Sequence, residues 1–118
     1  MFDLEKDYEN AIQKVTIQIG DLLGKPKADV YLTFCEPNTF DTLKMNSVDK
    51  TKPEELVGYF DGIFDRILVD HNFLKGDSKV SNAEVHQFIF KKFNVTLTIA
   101  SQYLKEVFLS PQSKTKEK

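Results

Sequence analysis

Tryptophan is absent from this 118-residue sequence, and cysteine occurs only once, as Cys35. A single cysteine excludes an internal disulfide, which is typical of proteins kept in a reducing compartment. The two histidines lie in separate segments, so the clustered ligands of a metal site are lacking. The longest apolar runs are far shorter than the ~20 residues that span a bilayer. The first eight residues alternate apolar and acidic side chains, unlike a signal peptide, so we expect a cytoplasmic protein.

An excess of charge of one sign is also lacking. The chain has 16 basic and 18 acidic residues and a net charge of −2. This balance gives no bulk attraction to nucleic acid or to anionic membranes, and neither is expected as a partner. The length fits one domain, predicted over residues 1–111. Residues 112–118 are polar and Lys-rich, which predicts a disordered tail.

Hydrophobic spacing predicts a mainly α fold. Apolar residues at three- and four-residue steps predict a helix over residues 4–14, whereas residues 15–23 fit a helix or a strand. Alternation over residues 29–35 predicts a strand that pairs either with residues 15–19 or with another copy of the chain. Further helices are predicted over residues 39–45, 53–70 and 81–93. A last helix, capped by either Thr96 or Thr98, is predicted to reach residue 109. The expected fold is a small helical domain with a minor β-strand or hairpin near its N-terminal third.

No constellation of side chains suggests catalysis. Cys35 lies in an apolar strand, where a buried and inert thiol is favoured over a nucleophile. Asp61 and Asp65 are one turn apart on the polar face of a helix, which is typical of a solvated surface. We therefore expect no catalytic residue, no metal and no cofactor, and we expect that the protein is not an enzyme.

The segment from Ser81 onwards has the outline of a helix-turn-helix, since a capped helix, a short turn and a second helix follow one another. Reading DNA would require Arg, Lys, Asn or Gln on the exposed face of the second helix. That helix offers Gln102 and Lys105, with Glu106 beside them and no Arg. A plain helical hairpin is the favoured interpretation, and a DNA-binding regulator is the alternative.

Aromatic residues are in surplus, because the chain has ten Phe. Either the core takes all of them, or some form an exposed groove that suits an amphipathic helix of a partner. Phe90 is the strongest groove candidate, because it lies outside the stripe formed by Val85, Phe88, Ile89 and Phe93. The groove hypothesis predicts these partner-binding residues: Tyr59, Phe64, Phe90, Phe93, Tyr103 and Phe108. An open strand edge at residues 29–35 also predicts a homo-oligomer.

The order of these pieces resembles a known family. The run Leu32-Thr33-Phe34-Cys35-Glu36-Pro37 precedes the helix 53–70, the pair Asn72-Phe73 and the connection Phe93-Asn94-Val95-Thr96. Over residues 29–109 this arrangement resembles the tail assembly chaperones of long-tailed phages of Gram-positive bacteria, of the lactococcal siphophage type. The resemblance carries over no functional residue by motif.

That resemblance implies a specific role. Tail assembly chaperones are small helper proteins of the host cytoplasm, absent from the finished virion. They bind the hydrophobic helical repeats of the tape-measure protein and keep them soluble until the tail tube assembles. A protein of this kind is the expected function, with self-association along its long partner. The alternatives are the helix-turn-helix regulator and a structural component of the phage head or tail.

Overall fold

A computed structural model describes residues 3–4, 7 and 12–109 of the chain. Its centre is an antiparallel sheet of three strands in the order β1-β2-β3. The strands are β1 (Lys14–Gln18), β2 (Tyr31–Cys35) and β3 (Leu68–His71). A hairpin of two short strands, β4 (Leu74–Lys75) and β5 (Ser78–Lys79), follows the sheet in the chain.

Four α-helices accompany the sheet in the described part of the chain: α1 (Thr39–Lys44), α2 (Pro53–Ile67), α3 (Asn82–Ile89) and α4 (Phe93–Leu104). Short 3-10 helices span Asp21–Leu23 and Met45–Ser47, and a π-helical turn, Lys105–Leu109, continues α4. Pro53 begins α2 at a position where its missing N–H costs nothing, and Glu54 and Glu55 oppose the positive end of the helix dipole.

One face of the sheet forms the base of the core. The alternation of β1 and β2 places Val15, Ile17, Leu32 and Phe34 on the buried face, while Thr16 remains exposed on the other. From α2, Tyr59, Phe60, Ile63, Phe64 and Ile67 are buried. From α4, Thr96, Ile99, Ala100, Tyr103 and Leu104 are buried. The apolar faces of α2 and α4 and the buried face of the sheet therefore contribute their side chains to one continuous core.

The predicted fold class is wrong. A mainly α domain with a minor β element was expected, but the chain combines 52% helix with 18% strand in a three-stranded sheet and a two-stranded one. The strand at residues 31–35 is the central strand, paired on one side with β1 and on the other with β3. The open edge expected there is therefore closed, and the ambiguous residues 15–18 are strand.

The ends of the helices account for the rest of the error. The helix from Pro53 was expected to reach residue 70, yet it ends at Ile67, and the next four residues become β3. The helix after Ser81 was expected to reach Phe93 but ends at Ile89, and the last helix begins at Phe93 rather than at Thr96. Most of the helix predicted over residues 4–14 and the tail at 112–118 lie outside the described residues.

Local capping was predicted more successfully. The Ser81 hydroxyl accepts a hydrogen bond from the Glu84 amide at 3.2 Å and closes the start of α3. The cap of α1 is Asn38, whose side chain accepts a hydrogen bond from the Asp41 amide at 2.8 Å, and the helix begins at Thr39. In the β4–β5 hairpin, Gly76 adopts a φ of 66°, which a glycine tolerates without strain at the first position of a two-residue turn.

Candidate functional site

Much of the aromatic surplus is in the core. The Phe34 ring of β2 lies 5.6 Å from Phe60, 5.6 Å from Phe64 and 5.3 Å from Tyr103, each at a steep angle. Edge-to-face packing of this kind adds to the gain from burying the apolar area. All four rings are fully buried. The sequence alone left core and groove open for these residues, and the sheet brings them together beneath α2 and α4.

Two tyrosines of the predicted groove are also internal. The Tyr103 hydroxyl donates to the Cys35 carbonyl at 2.8 Å, and the Tyr59 hydroxyl donates to the Asp41 carbonyl. Burial raises the pKa of Tyr59 to about 12 and also raises the pKa of Tyr103. Both phenols are therefore neutral donors that tie helices to the backbone of the neighbouring elements. A partner could reach Tyr59, Phe64 or Tyr103 only if the core opened.

The other three predicted groove residues keep some exposed surface, at three different places. Phe90 is half-buried and stacks on Phe60 with ring centroids 5.9 Å apart. Phe93, at the start of α4, is 50% exposed. Phe108 is half-buried in the π-helical turn. The structure thus does not join the six predicted residues into one groove. Whether a partner binds any of them remains a prediction.

A separate apolar cleft, which we name the hairpin cleft, lies between the β4–β5 hairpin and α3 and has a volume of about 450 Å³. Leu74 and Phe88 in it are 64% and 45% exposed. The Phe88 ring meets Phe73 edge to face at 5.7 Å, which fixes the cleft wall. Its apolar lining residues are Leu23, Val30, Phe73, Leu74, Val80 and Phe88.

The hairpin cleft has a charged rim. Lys75 of β4 and Glu84 of α3 approach each other at 3.9 Å across it, and both side chains are largely exposed. An exposed pair of this kind contributes little to stability. The pair gives the cleft one positive and one negative side chain at its edge, around an apolar floor.

A second cleft, the turn cleft, lies beside the connection between α3 and α4 and measures about 560 Å³. Leu22, Phe93 and Val95 supply its apolar lining, with Asp21 and Lys92 beside them. Leu22 of the turn cleft and Leu23 of the hairpin cleft are neighbours in the 3-10 helix Asp21–Leu23. The two clefts therefore share this short element in their linings, and we refer to them together as the two-cleft surface.

Phe108 lines a third and smaller pocket, of about 170 Å³. Met45, Leu56 and Leu104 complete its apolar lining, and Lys50 and Lys105 stand at its edge. Its volume is well below that of typical ligand sites, which run to several hundred Å³. This pocket suits a single side chain rather than a ligand or a helix.

Helix α1 presents another apolar pair. Phe40 and Leu43 are 77% and 58% exposed and three residues apart on one face. Behind them, the buried Asp41 carboxylate accepts hydrogen bonds from Arg66 Nε at 2.9 Å and Nη2 at 2.8 Å. The hydrogen bonds from Arg66 lower the pKa of Asp41. This bidentate pair anchors a six-residue helix that would be marginal alone.

The titratable groups of the described residues include one partly buried thiol and one histidine that contacts two carboxylates. Burial raises the pKa of the Cys35 thiol, which lies 3.9 Å from the Arg66 carbonyl. His86 contacts Asp61 through Nε2 at 2.7 Å and Asp65 through Nδ1 at 3.1 Å, and these carboxylates lie on opposite sides of the ring. No group of three or more acidic, His or Cys side chains suited to a metal occurs among the described residues.

Sequence reasoning missed Leu74, Phe73 and Phe88 as surface residues. The two strands of the β4–β5 hairpin are two residues long, which is too short for a period-two pattern to stand out. Phe88 was placed in the core stripe of α3 and Phe90 outside it. Phe90 keeps the helical bond from its amide to the His86 carbonyl, and the packed face of α3 runs through Val85, His86, Ile89 and Phe90. Phe90 therefore packs against Phe60 and Phe64.

Comparisons with protein-family models, with curated proteins and with solved structures gave no match for this chain. In the described segments, no helix combines the length and the apolar character needed to cross a bilayer.

Proposed function

We propose that this chain is a non-enzymatic protein-binding module that holds an apolar segment of a partner protein on the two-cleft surface. The observation that carries the proposal is the exposure of Phe88 and Phe93, at 45% and 50%, in two clefts that are both lined by residues of the 3-10 helix Asp21–Leu23. Exposed aromatic side chains in clefts are characteristic of sites that bind another protein.

The shape of this surface favours an elongated partner. Each cleft offers an apolar floor of several residues, and the pair of clefts follows one short element. An amphipathic helix reaches successive pockets with side chains three and four positions apart. The rim carries charges of both signs, which suits a partner with both signs of charge beside its apolar stripe. The charged rim residues are Lys75, Glu84, Asp21 and Lys92.

The specific form that we propose is a phage tail assembly chaperone in the cytoplasm of the infected host, outside the finished virion. The resemblance described above supports it, and so does an exposed apolar surface on a small domain. In that role the two-cleft surface would cover the hydrophobic helical repeats of the tape-measure protein before the tail tube encloses them.

Co-expression with a tape-measure fragment that is insoluble alone tests the proposal. The chain is expected to keep the fragment in the supernatant. Phe88→Ala and Phe93→Ala should each reduce the soluble fraction, because burying one Phe against a partner contributes ~1.5–3 kcal/mol. Each variant should therefore weaken binding about tenfold or more.

Phe40→Ala on α1 is the matched control, because it removes an equally large exposed ring from a different surface. All three variants should keep a melting temperature close to that of the parent chain. If the fragment stays insoluble with the parent chain, or if Phe40→Ala reduces solubility as much as Phe88→Ala does, the two-cleft surface is not the binding site.

A further inference from the structure

The β4–β5 hairpin, which forms one wall of the hairpin cleft, has little structure of its own. Each of its strands has two residues, and Gly76 and Asp77 join them. A two-stranded hairpin is marginally stable at best when it stands alone. The Val80 amide donates to the Phe73 carbonyl at 3.1 Å and extends the pairing by one step. Contacts outside the hairpin are therefore needed to hold this wall in place.

His71, the last residue of β3, supplies one of these contacts. It is buried, and its Nδ1 atom accepts a hydrogen bond from the Phe73 amide at 3.0 Å. Its ring also meets the Phe73 ring edge to face at 5.8 Å. Phe73 in turn meets the Phe88 ring in the same way at 5.7 Å, inside the hairpin cleft. Three rings in succession thus connect the end of the sheet to the exposed aromatic side chain of this cleft.

The hydrogen bond from Phe73 fixes the protonation state of the imidazole. A ring nitrogen accepts a hydrogen bond only through a free lone pair, so Nδ1 carries no proton and Nε2 carries the one proton of the neutral ring. An imidazolium has an N–H at both positions and accepts no hydrogen bond. Protonation of His71 would therefore turn Nδ1 into a second donor facing the Phe73 amide, which would lose its partner.

The surroundings of His71 favour the neutral ring. Burial lowers the pKa of His71 below its ordinary value near 6.5, and the charge of Lys79 on β5 lowers it further. The Val80 backbone and the Asp70 carboxylate act in the opposite direction, with a smaller effect. Asp70 and Lys79 form an ion pair at 2.7 Å, which lowers the pKa of Asp70 and raises that of Lys79, so both stay charged near neutral pH. Of these three groups, His71 is the one that changes charge in mild acid.

We propose that His71 is the positioning residue of the hairpin cleft, whose neutral ring holds Phe73 in the cleft wall and whose protonation loosens that wall and releases a bound partner segment. The part that concerns the partner rests on the function proposed above. The closed hairpin takes up the proton less readily than an open one, in which His71 regains its ordinary pKa. The ratio of open to closed hairpin should therefore rise by up to about tenfold for each pH unit below about 6.5, until the lower pKa of the closed form is reached.

Hydrogen exchange of the chain alone tests the positioning role. The Val80 amide exchanges when the hairpin opens, so its protection factor, corrected for the intrinsic pH dependence of exchange, reports the ratio of closed to open forms. This factor should fall several-fold between about pH 7.5 and about pH 5.5. Nitrogen chemical shifts of the His71 ring should show the Nε2–H tautomer at the higher pH. A protection factor that does not change with pH, or a neutral ring with its proton on Nδ1, overturns the proposal.

Two variants assign the pH dependence to one histidine. His71→Asn removes the titration but keeps an acceptor, because the Oδ1 atom of Asn takes nearly the place of Nδ1. It should hold the protection factor of the Val80 amide nearly constant over the same pH range. His86→Asn is the matched control, since it removes the second histidine of the chain, and it should keep the pH dependence of the parent chain. The opposite pattern overturns the proposal, and the parent chain alone still decides it if His71→Asn does not fold.

Binding of a partner segment provides the last readout. A helical peptide of the tape-measure protein that contains no histidine should bind the parent chain several-fold more weakly at about pH 5.5 than at about pH 7.5. It should bind His71→Asn equally at both. Binding to the parent chain that is unchanged in acid overturns the proposal and leaves the proposed function intact. A peptide that binds at neither pH contradicts the proposed function, while exchange of the Val80 amide still decides the role of His71.

Discussion

Phe88 and Phe90 differ in the packing of their rings, although they are only two positions apart. Phe90 stacks on Phe60 at 5.9 Å and meets Phe64 edge to face at 5.5 Å. It also meets the His86 ring at 4.7 Å. Phe88 touches the Phe73 ring and keeps nearly half of its surface exposed. The first residue belongs to the core edge and the second to the hairpin cleft.

Phe90→Ala should therefore destabilise the fold, although the sequence favoured Phe90 as an exposed groove residue. Truncating a buried Phe costs ~3–5 kcal/mol, and a half-buried ring should cost about 2–4 kcal/mol of unfolding free energy. Chemical denaturation of Phe90→Ala beside Phe88→Ala measures the difference. Equal losses in the two variants would show that the rings are packed alike.

At the scale of the element, α1 depends on one ion pair, in which the Asp41 side chain is buried and the Arg66 side chain is half exposed. The Asp41 carboxylate faces inward to Arg66, while Phe40 and Leu43 face outward. The amide of Asp41 is itself bound by the Asn38 cap, and its carbonyl by the Tyr59 hydroxyl. The side chain and the backbone carbonyl of Asp41 thus both bind residues of α2 and attach α1 to that helix.

The stability of the chain should depend on the ionisation of Asp41. Hydrogen bonds from Arg66 hold the pKa of Asp41 below its ordinary value near 4, so the folded state binds its proton less readily than the unfolded state does. The stabilisation is complete above that ordinary value and is lost as the pH falls through the lower pKa of the folded state. Asp41→Asn should lower the melting temperature at neutral pH, and its difference from the parent chain should shrink below about pH 4.

Asp70→Asn is the control for this measurement. The hydrogen bond from Lys79 lowers the pKa of Asp70 as well, but that ion pair is exposed. Exposed pairs contribute little, so the loss at neutral pH should be smaller than for Asp41→Asn. A melting temperature of Asp41→Asn equal to that of the parent chain across the acid range would mean that α1 is held by other contacts.

At the scale of the whole molecule, the distribution of charge separates the proposed function from its main rival. The pair α3 and α4, joined by residues 90–92, retains the outline of a helix-turn-helix. Its second helix presents the exposed Gln102, followed by Lys105, on a chain with a net charge of −2. Phosphate contacts, which supply most of the affinity of DNA-binding proteins, require more basic side chains than this surface offers.

We expect no sequence-dependent binding of duplex DNA at physiological salt. Any association at low salt should fall steeply as salt is added, because it would arise from scattered lysines. A fluorescence-anisotropy titration with a random duplex library and a scrambled control measures both properties. Submicromolar binding that distinguishes sequences would favour the regulator over the chaperone.

Short-range patterns in the sequence determined several elements by themselves. The alternation at residues 29–35 predicted the strand β2, and the predicted helix starts at residues 53 and 81 match Pro53 at the start of α2 and Ser81 at the cap of α3. These signals act within a few residues, through side-chain alternation, a missing amide hydrogen or one capping bond. They need no knowledge of distant partners.

Only the tertiary structure decided where α2 ends and which aromatic residues face solvent. Leu68 and His71 become strand because β2, more than thirty residues earlier, offers pairing and burial that compete with one more helical turn. The packing of α3 against α2 covers the face with His86 and Phe90 and leaves Phe88 exposed. Both outcomes depend on contacts between segments far apart in the chain. Such contacts cannot be predicted from the periodicity of one segment alone.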